Sequence, residues 1–196
     1  MNRYQTTLAS LALTLSYLCA MPAHAAREVA GVRFDDQTNL ASQALVLNGA
    51  GVRVKMIIKV YAVGLYVPHK ETAPAGVLNQ SGPKSVRIVM LRNVSAEKLT
   101  DALMEGIVEN VSPADLRALQ PRLDELEAAM RNAGEAVKGA QIQIDYLPGI
   151  GTRVTMGGKP LGKDIAGEDF YRALLKIWLG EHPSDRNLKG DLLGQS

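Results

Sequence analysis

The apolar and polar positions of this chain change period three times, and the changes mark out its elements. Residues 29–34 alternate, as a half-buried strand does. Residues 44–47 form a second short β-like run. The longest such run, residues 52–67, is rich in Val, Ile and Tyr and predicts one continuous strand, ended by Pro68 and the Pro74-Ala75-Gly76 cluster. Residues 85–92 ("SVRIVMLR") predict another strand, with Val86, Ile88 and Met90 on one face. From Ser95 the period becomes helical: a capping serine precedes Leu99, Leu103, Ile107 and Val111. Ser112-Pro113 starts a second helix, whose stripe runs through Leu116, Leu119, Leu123, Leu126 and Met130 and which Pro121 is expected to kink or divide. Strands return at 140–147 and 152–156 around the turn "PGIG", with a short one near 159–161. "EDFYRALLKIWL" is an amphipathic helix that stops at Gly180, and "PSDRNLKGDLLG" predicts a last short helix. Strands, then helices, then strands and a closing helix predict an α+β fold, an antiparallel sheet with helices on one face.

The first 25 residues read differently. Arg3, an apolar run from Leu8 to Ala20 and the small residues of Ala23-His24-Ala25 have the pattern of a secretory signal peptide cleaved after Ala25. The run is shorter than the about 20 residues of a membrane-spanning helix. Cys19, the only cysteine, falls inside it and lacks the small preceding residues of a lipidation signal. The remaining chain, about 170 residues without a disulfide, is long enough for one domain held by its core and is expected in the periplasm or outside the cell. Of 22 basic side chains, Arg3 leaves with the leader, so 21 face 20 acidic ones. That balance gives no case from overall charge for nucleic acid or an anionic membrane as partner, and no later run suits stable membrane insertion.

Few residues carry recognisable chemistry. Gly49-Ala50-Gly51 follows a strand, but a third glycine is absent and a strand follows, so no helix terminus is offered to a phosphate. His69 and His182 lack metal-ligand spacing, no nucleophile motif is present, and no metal or cofactor is implied. The unusual feature is charge inside the longest β-like run: Arg53, Lys55 and Lys59. In a regular strand Arg53, Lys55, Ile57, Lys59, Tyr61, Val63 and Leu65 share one face. Either this is an edge with cations in water, or Arg53 enters an apolar cavity, where it needs a carboxylate to match its planar fork.

"LNGAGVRVKMIIKVYAVGLYVP" resembles the strand motif of the chalcone isomerase superfamily, a Gly-x-Gly-x-Arg turn leading into a Lys-aromatic-x-x-x-Gly-x-Tyr strand. "FYRALLKIWLGEHPSDRNLKGDLLG" resembles that family's closing helix, and the elements between agree in order. The resemblance, nearest to the exported bacterial branch, covers most of residues 26–196. It implies an open-faced β-sandwich of chalcone isomerase type, a long antiparallel sheet with helices on one face and a ligand cleft between. The plant enzymes position substrate with a tyrosine and an asparagine on the first helix and a threonine on the opening strand. Aligned on that pattern, Leu99, Gly106 and Tyr61 stand at those places, and Ile177 falls at a polar position of the closing helix. Arg53 alone remains.

The surviving pair, Arg53 and Tyr61, resembles the non-catalytic fatty-acid-binding members, where an arginine and a tyrosine hold a carboxylate and an apolar cleft holds the tail. The resemblance thus implies a binder of a fatty acid or similar amphiphilic carboxylate. Its contacts would come from Arg53, Tyr61, Lys59 and Ile177, with Leu99, Leu103, Ile107 and Trp178 along the tail. An isomerase or lyase with a different polar set, and an accessory protein whose Arg53 makes an internal salt bridge, stay open. One geometric condition attaches to the first reading. Eight residues of straight strand span about 26 Å, so Arg53 and Tyr61 meet one ligand only if the chain bends between them.

Overall fold

In a computed structural model the described residues are 26–195; the leader assignment lies outside them. Nine strands and five helices follow one another as β1 (Ala26–Val29), β2 (Val32–Asp35), β3 (Gln37–Leu40), β4 (Gln43–Lys55), β5 (Ile58–Val67), α1 (Pro74–Asn79), β6 (Lys84–Met90), α2 (Ala96–Val108), α3 (Pro113–Arg131), β7 (Gln141–Leu147), β8 (Gly151–Met156), β9 (Lys159–Pro160), α4 (Glu168–Leu179) and α5 (Arg186–Leu192). β3 to β9 form one antiparallel sheet in sequence order, and β1–β2 is a separate hairpin. This is the α+β architecture expected, a curled sheet with helices on one face.

The long apolar run is not one strand. The chain reverses at Met56 and Ile57, and β4 and β5 pair as a hairpin with Arg53 opposite Tyr61 and Lys55 opposite Ile58. The expected single face of Arg53, Lys55, Ile57, Lys59 and Tyr61 therefore does not exist. The alternation is interrupted by the turn and by a register shift after Arg53. The run of residues 29–34 likewise splits, turning at Ala30-Gly31 between β1 and β2, both in the left-handed region. Pro74-Ala75-Gly76 does end the β-like run, and it also opens the short helix α1. Pro121 lies inside α3, which runs unbroken from the cap at Ser112.

Alternation on β5 builds two cores. Tyr61, Val63, Leu65 and Val67 face the helices and join Val86, Ile88, Ile144, Leu123, Leu126 and the inner face of α4. Ala62 and Tyr66 face the other way and pack with Phe34, Leu45, Leu47 and Ala50 beneath β1–β2. Gly64 leaves room for Phe34: a Cβ there would stand 2.6 Å from its ring.

Candidate functional site

The Gly-x-Gly-x-Arg segment is a docking track for the closing helix. A Cβ on Gly49 would overlap the carbonyl oxygen of Asp191, and one on Gly51 would overlap the Asp191 side chain. Without side chains at these two positions α5 lies directly on β4. A register shift at Asn48 lets its amide donate to the carbonyl of Leu192 at 2.7 Å and to that of Glu71 at 2.9 Å. Arg53 follows at the next position of the same face. Its guanidinium donates to the Val54 carbonyl and stands 3.7 Å from Asp185 Oδ2. Asp185 is the N-cap of α5, where Oδ1 accepts from the backbone of Asn187 (2.9 Å) and Leu188 (3.2 Å), while Oδ2 accepts from Val54 N at 3.1 Å. One carboxylate thus starts the last helix, ties it to β4 and faces Arg53.

Among the described residues, the contacts of Arg53 to Val54 and Asp185 both use Nη1, so the remaining donors of its fork are not spent on Asp185. The side chains of Arg53 and Asp185 are 20% and 11% exposed, enough shielding to strengthen a charge contact beyond its value in bulk water.

Tyr61 stands across the ladder from Arg53. The bend that a shared ligand needs is supplied by the hairpin: the two residues are cross-strand neighbours, where side chains lie about 5 Å apart, rather than the ends of a 26 Å strand. Tyr61 is buried, and its hydroxyl accepts from Trp178 Nε1 of α4 at 2.9 Å. Burial raises the phenol above its usual value of 10.0; the Trp178 bond and the charge of Arg53 act against that. The phenol is therefore neutral at ordinary pH and keeps its own proton to donate. Ser184, just before the cap, places its buried hydroxyl beside the Tyr61 phenol.

The other candidates separate. Lys59 is exposed near the hairpin tip, outside this group. Ile107, Ile177 and Trp178 are buried in the main core, with Leu99 and Leu103 half-buried against it. Ile177 lies over Gly106, where a Cβ would sit 2.9 Å from its Cγ2; this is why the position aligned with an asparagine holds no side chain. Nearby, Asn110 joins the end of α2 to the loop after α4: its amide donates to the carbonyls of Gly106 and His182, and its oxygen accepts from His182 N. The structure thus joins Arg53, Tyr61 and Trp178 in one polar group, with Ile107 and Ile177 in the same main core and Leu99 and Leu103 at its margin. Sequence reasoning missed Asp185 and Ser184. The available signal was the capping pattern of Asp185 ahead of a short helix.

An open groove of about 540 Å³ lies on the far side of Asp185, lined by Arg27, Glu28, Val52, Val54, Asn187 and Asp191 among others. With Asp185 also in its wall, three carboxylates against the one guanidinium of Arg27 disfavour an anionic head group.

The sequence profile described as chalcone isomerase-like matches residues 26–194. No curated protein matches the chain. Among solved structures it is similar to an Arabidopsis thaliana fatty-acid-binding protein, with a TM-score of 0.65 and 16% identity over 83% of this chain and 92% of that one. At that identity the likeness shows the fold.

Proposed function

The chain belongs to the chalcone isomerase-like family, and on that premise we propose that it binds a fatty acid or a similar amphiphilic carboxylate. The observation that carries this reading is the pairing of Arg53 and Tyr61 across one ladder, shielded by α4 and α5, with the guanidinium's contacts among the described residues confined to Nη1. A carboxylate entering here takes the bidentate face of Arg53 and the proton of Tyr61, and displaces the single long contact to Asp185. The fatty-acid-binding protein of the same fold supports the ligand class. The tail replaces packing now supplied by α2, whose contacts run to α3 and α4. Leu99 and Leu103 are already partly exposed and lose least when α2 tilts outward. The leader-like first 25 residues support an exported protein, which the N-terminal mass of protein from cell fractions tests.

Native mass spectra of the purified protein with hexadecanoate, beside Arg53→Met, test the ligand reading. A hexadecanoate adduct in the wild type that is lost in the folded variant is the expected result; no adduct in the wild type overturns the proposal.

A second reading rests on the Arg53–Asp185 contact and the filled core between α2 and α4. In it the chain is an accessory protein without a small ligand, and Arg53 serves only to dock α5. Absence of an adduct together with strong destabilisation by Arg53→Met favours it.

A further inference from the structure

The β4–β5 hairpin ends in three consecutive exposed apolar side chains, Met56 (92%), Ile57 (93%) and Ile58 (45%), between the exposed Lys55 and Lys59. Neither burial nor turn chemistry accounts for them. The two-residue turn places Met56 at φ 60°, a position that glycine or asparagine fills at little cost and that an ordinary side chain occupies under strain. A soluble tip ordinarily carries polar turn residues, and here two large apolar groups stand almost wholly in water where glycine would serve better.

The tip also projects. β6 accompanies β5 only as far as Leu91, whose N–H donates to the Val60 carbonyl at 3.0 Å. On the other edge β3 pairs with β4 only as far as Val46. The turn therefore stands about three residues, roughly 10 Å, beyond the last neighbouring strand. That reach matches the roughly 5–10 Å to which apolar groups enter the headgroup and acyl boundary of a bilayer. Asp185 of the adjoining helix turns inward to Val54 N and Arg53, while Lys55 and Lys59 on either side of the turn are both exposed.

We infer that this hairpin tip docks on an anionic phospholipid bilayer, Met56 and Ile57 entering the interface and Lys55 and Lys59 meeting the headgroups. The near-neutral charge of the whole chain conceals this, because the attraction is local and decays within about 8–10 Å at physiological salt. The inference stands independently of the ligand reading, although a carrier of amphiphiles gains from it: the tip is continuous with the strands that hold Arg53 and Tyr61.

The test is co-sedimentation of the full chain with large vesicles of phosphatidylcholine alone and with phosphatidylglycerol added. The wild type is compared with Met56→Gly/Ile57→Ser and with Lys55→Glu/Lys59→Glu. Thermal melts show that each variant is folded; the first relieves the turn and should melt no lower than the wild type. The expected result is salt-sensitive binding to the anionic vesicles, at least tenfold weaker in both variants, with hexadecanoate binding unchanged in native mass spectra. Absence of binding, binding that both folded variants retain, or Ile57-dependent self-association in sedimentation velocity without vesicle binding overturns the inference. The last outcome would assign the tip to a second copy.

Discussion

Replacing Asp185 by asparagine separates two duties of one carboxylate. Asparagine caps a helix about as well as aspartate, so the bonds to Asn187 N and Leu188 N survive. What is lost is the charge 3.7 Å from Arg53 Nη1 and, because an amide nitrogen cannot accept, the bond from Val54 N. The gross Coulomb attraction at that distance is about 4–5 kcal/mol at an effective dielectric constant of 20, most of it offset by desolvation of the two groups. The contact is single and long, which leaves a net value of about 1 kcal/mol. In our account the ligand carboxylate competes with Asp185 for the same guanidinium. Asp185→Asn therefore lowers stability by about 2 kcal/mol in urea unfolding, about 1 from the charge contact and about 1 from the Val54 bond, and the lost charge contact raises affinity for dodecanoate about fivefold in calorimetric titration, since 1.4 kcal/mol is a factor of ten. Asp185→Ala also loses the cap, at a further cost of about 1 kcal/mol. A folded Asp185→Asn protein that binds dodecanoate no more tightly than the wild type would refute the competition.

Other predictions follow from the packing around the site. Gly49→Ala places a methyl group against the Asp191 backbone, which cannot swing away as a side chain does, and should cost more than about 3 kcal/mol in urea unfolding. Gly106→Ala meets Cγ2 of Ile177 and should cost about 1–3 kcal/mol; Ile177→Val keeps both γ carbons and should recover little of that in the double variant. Trp178→Phe removes the donor to Tyr61 and should cost about 1–2 kcal/mol by the same assay. Tyr61 and Tyr171 are buried, with phenols raised by desolvation, Tyr171 well above 10.0. A raised folded value means their contribution is fully present below pH 10 and is lost as pH rises beyond it. Absorbance at alkaline pH and circular dichroism should therefore show phenolate formation and unfolding together, and separate transitions would contradict this.

Much of the fold was legible because its strands and helices bury one face each, and burial writes the period. Val86, Ile88 and Met90, the stripe of α3 and the inner face of α4 all lie where alternation or helical spacing put them. The hairpin at Met56 was not legible. Its turn carries Met and Ile in place of Gly or Asn, so apolar character runs through the reversal unbroken. That one missed turn made Arg53 and Tyr61 look distant when they are cross-strand neighbours. Asp185 was equally hidden, since its sequence environment shows a capping residue and nothing of the strand it meets 131 positions earlier. The half-exposed Leu99 and Leu103 follow the helical pattern correctly, yet periodicity cannot say whether such a face covers a filled core or a cleft.

Trp178 is the only tryptophan of the chain, and its Nε1 bonds to the Tyr61 hydroxyl at the centre of the site. Its emission is thus a direct reporter of whether a carboxylate binds there. The decisive measurement is a fluorescence titration of the wild type and Arg53→Met with dodecanoate, both shown to be folded. The account predicts a saturable change in the wild type and at least tenfold weaker binding in Arg53→Met. No saturable change in the wild type, or equal affinity in the two proteins, would contradict it.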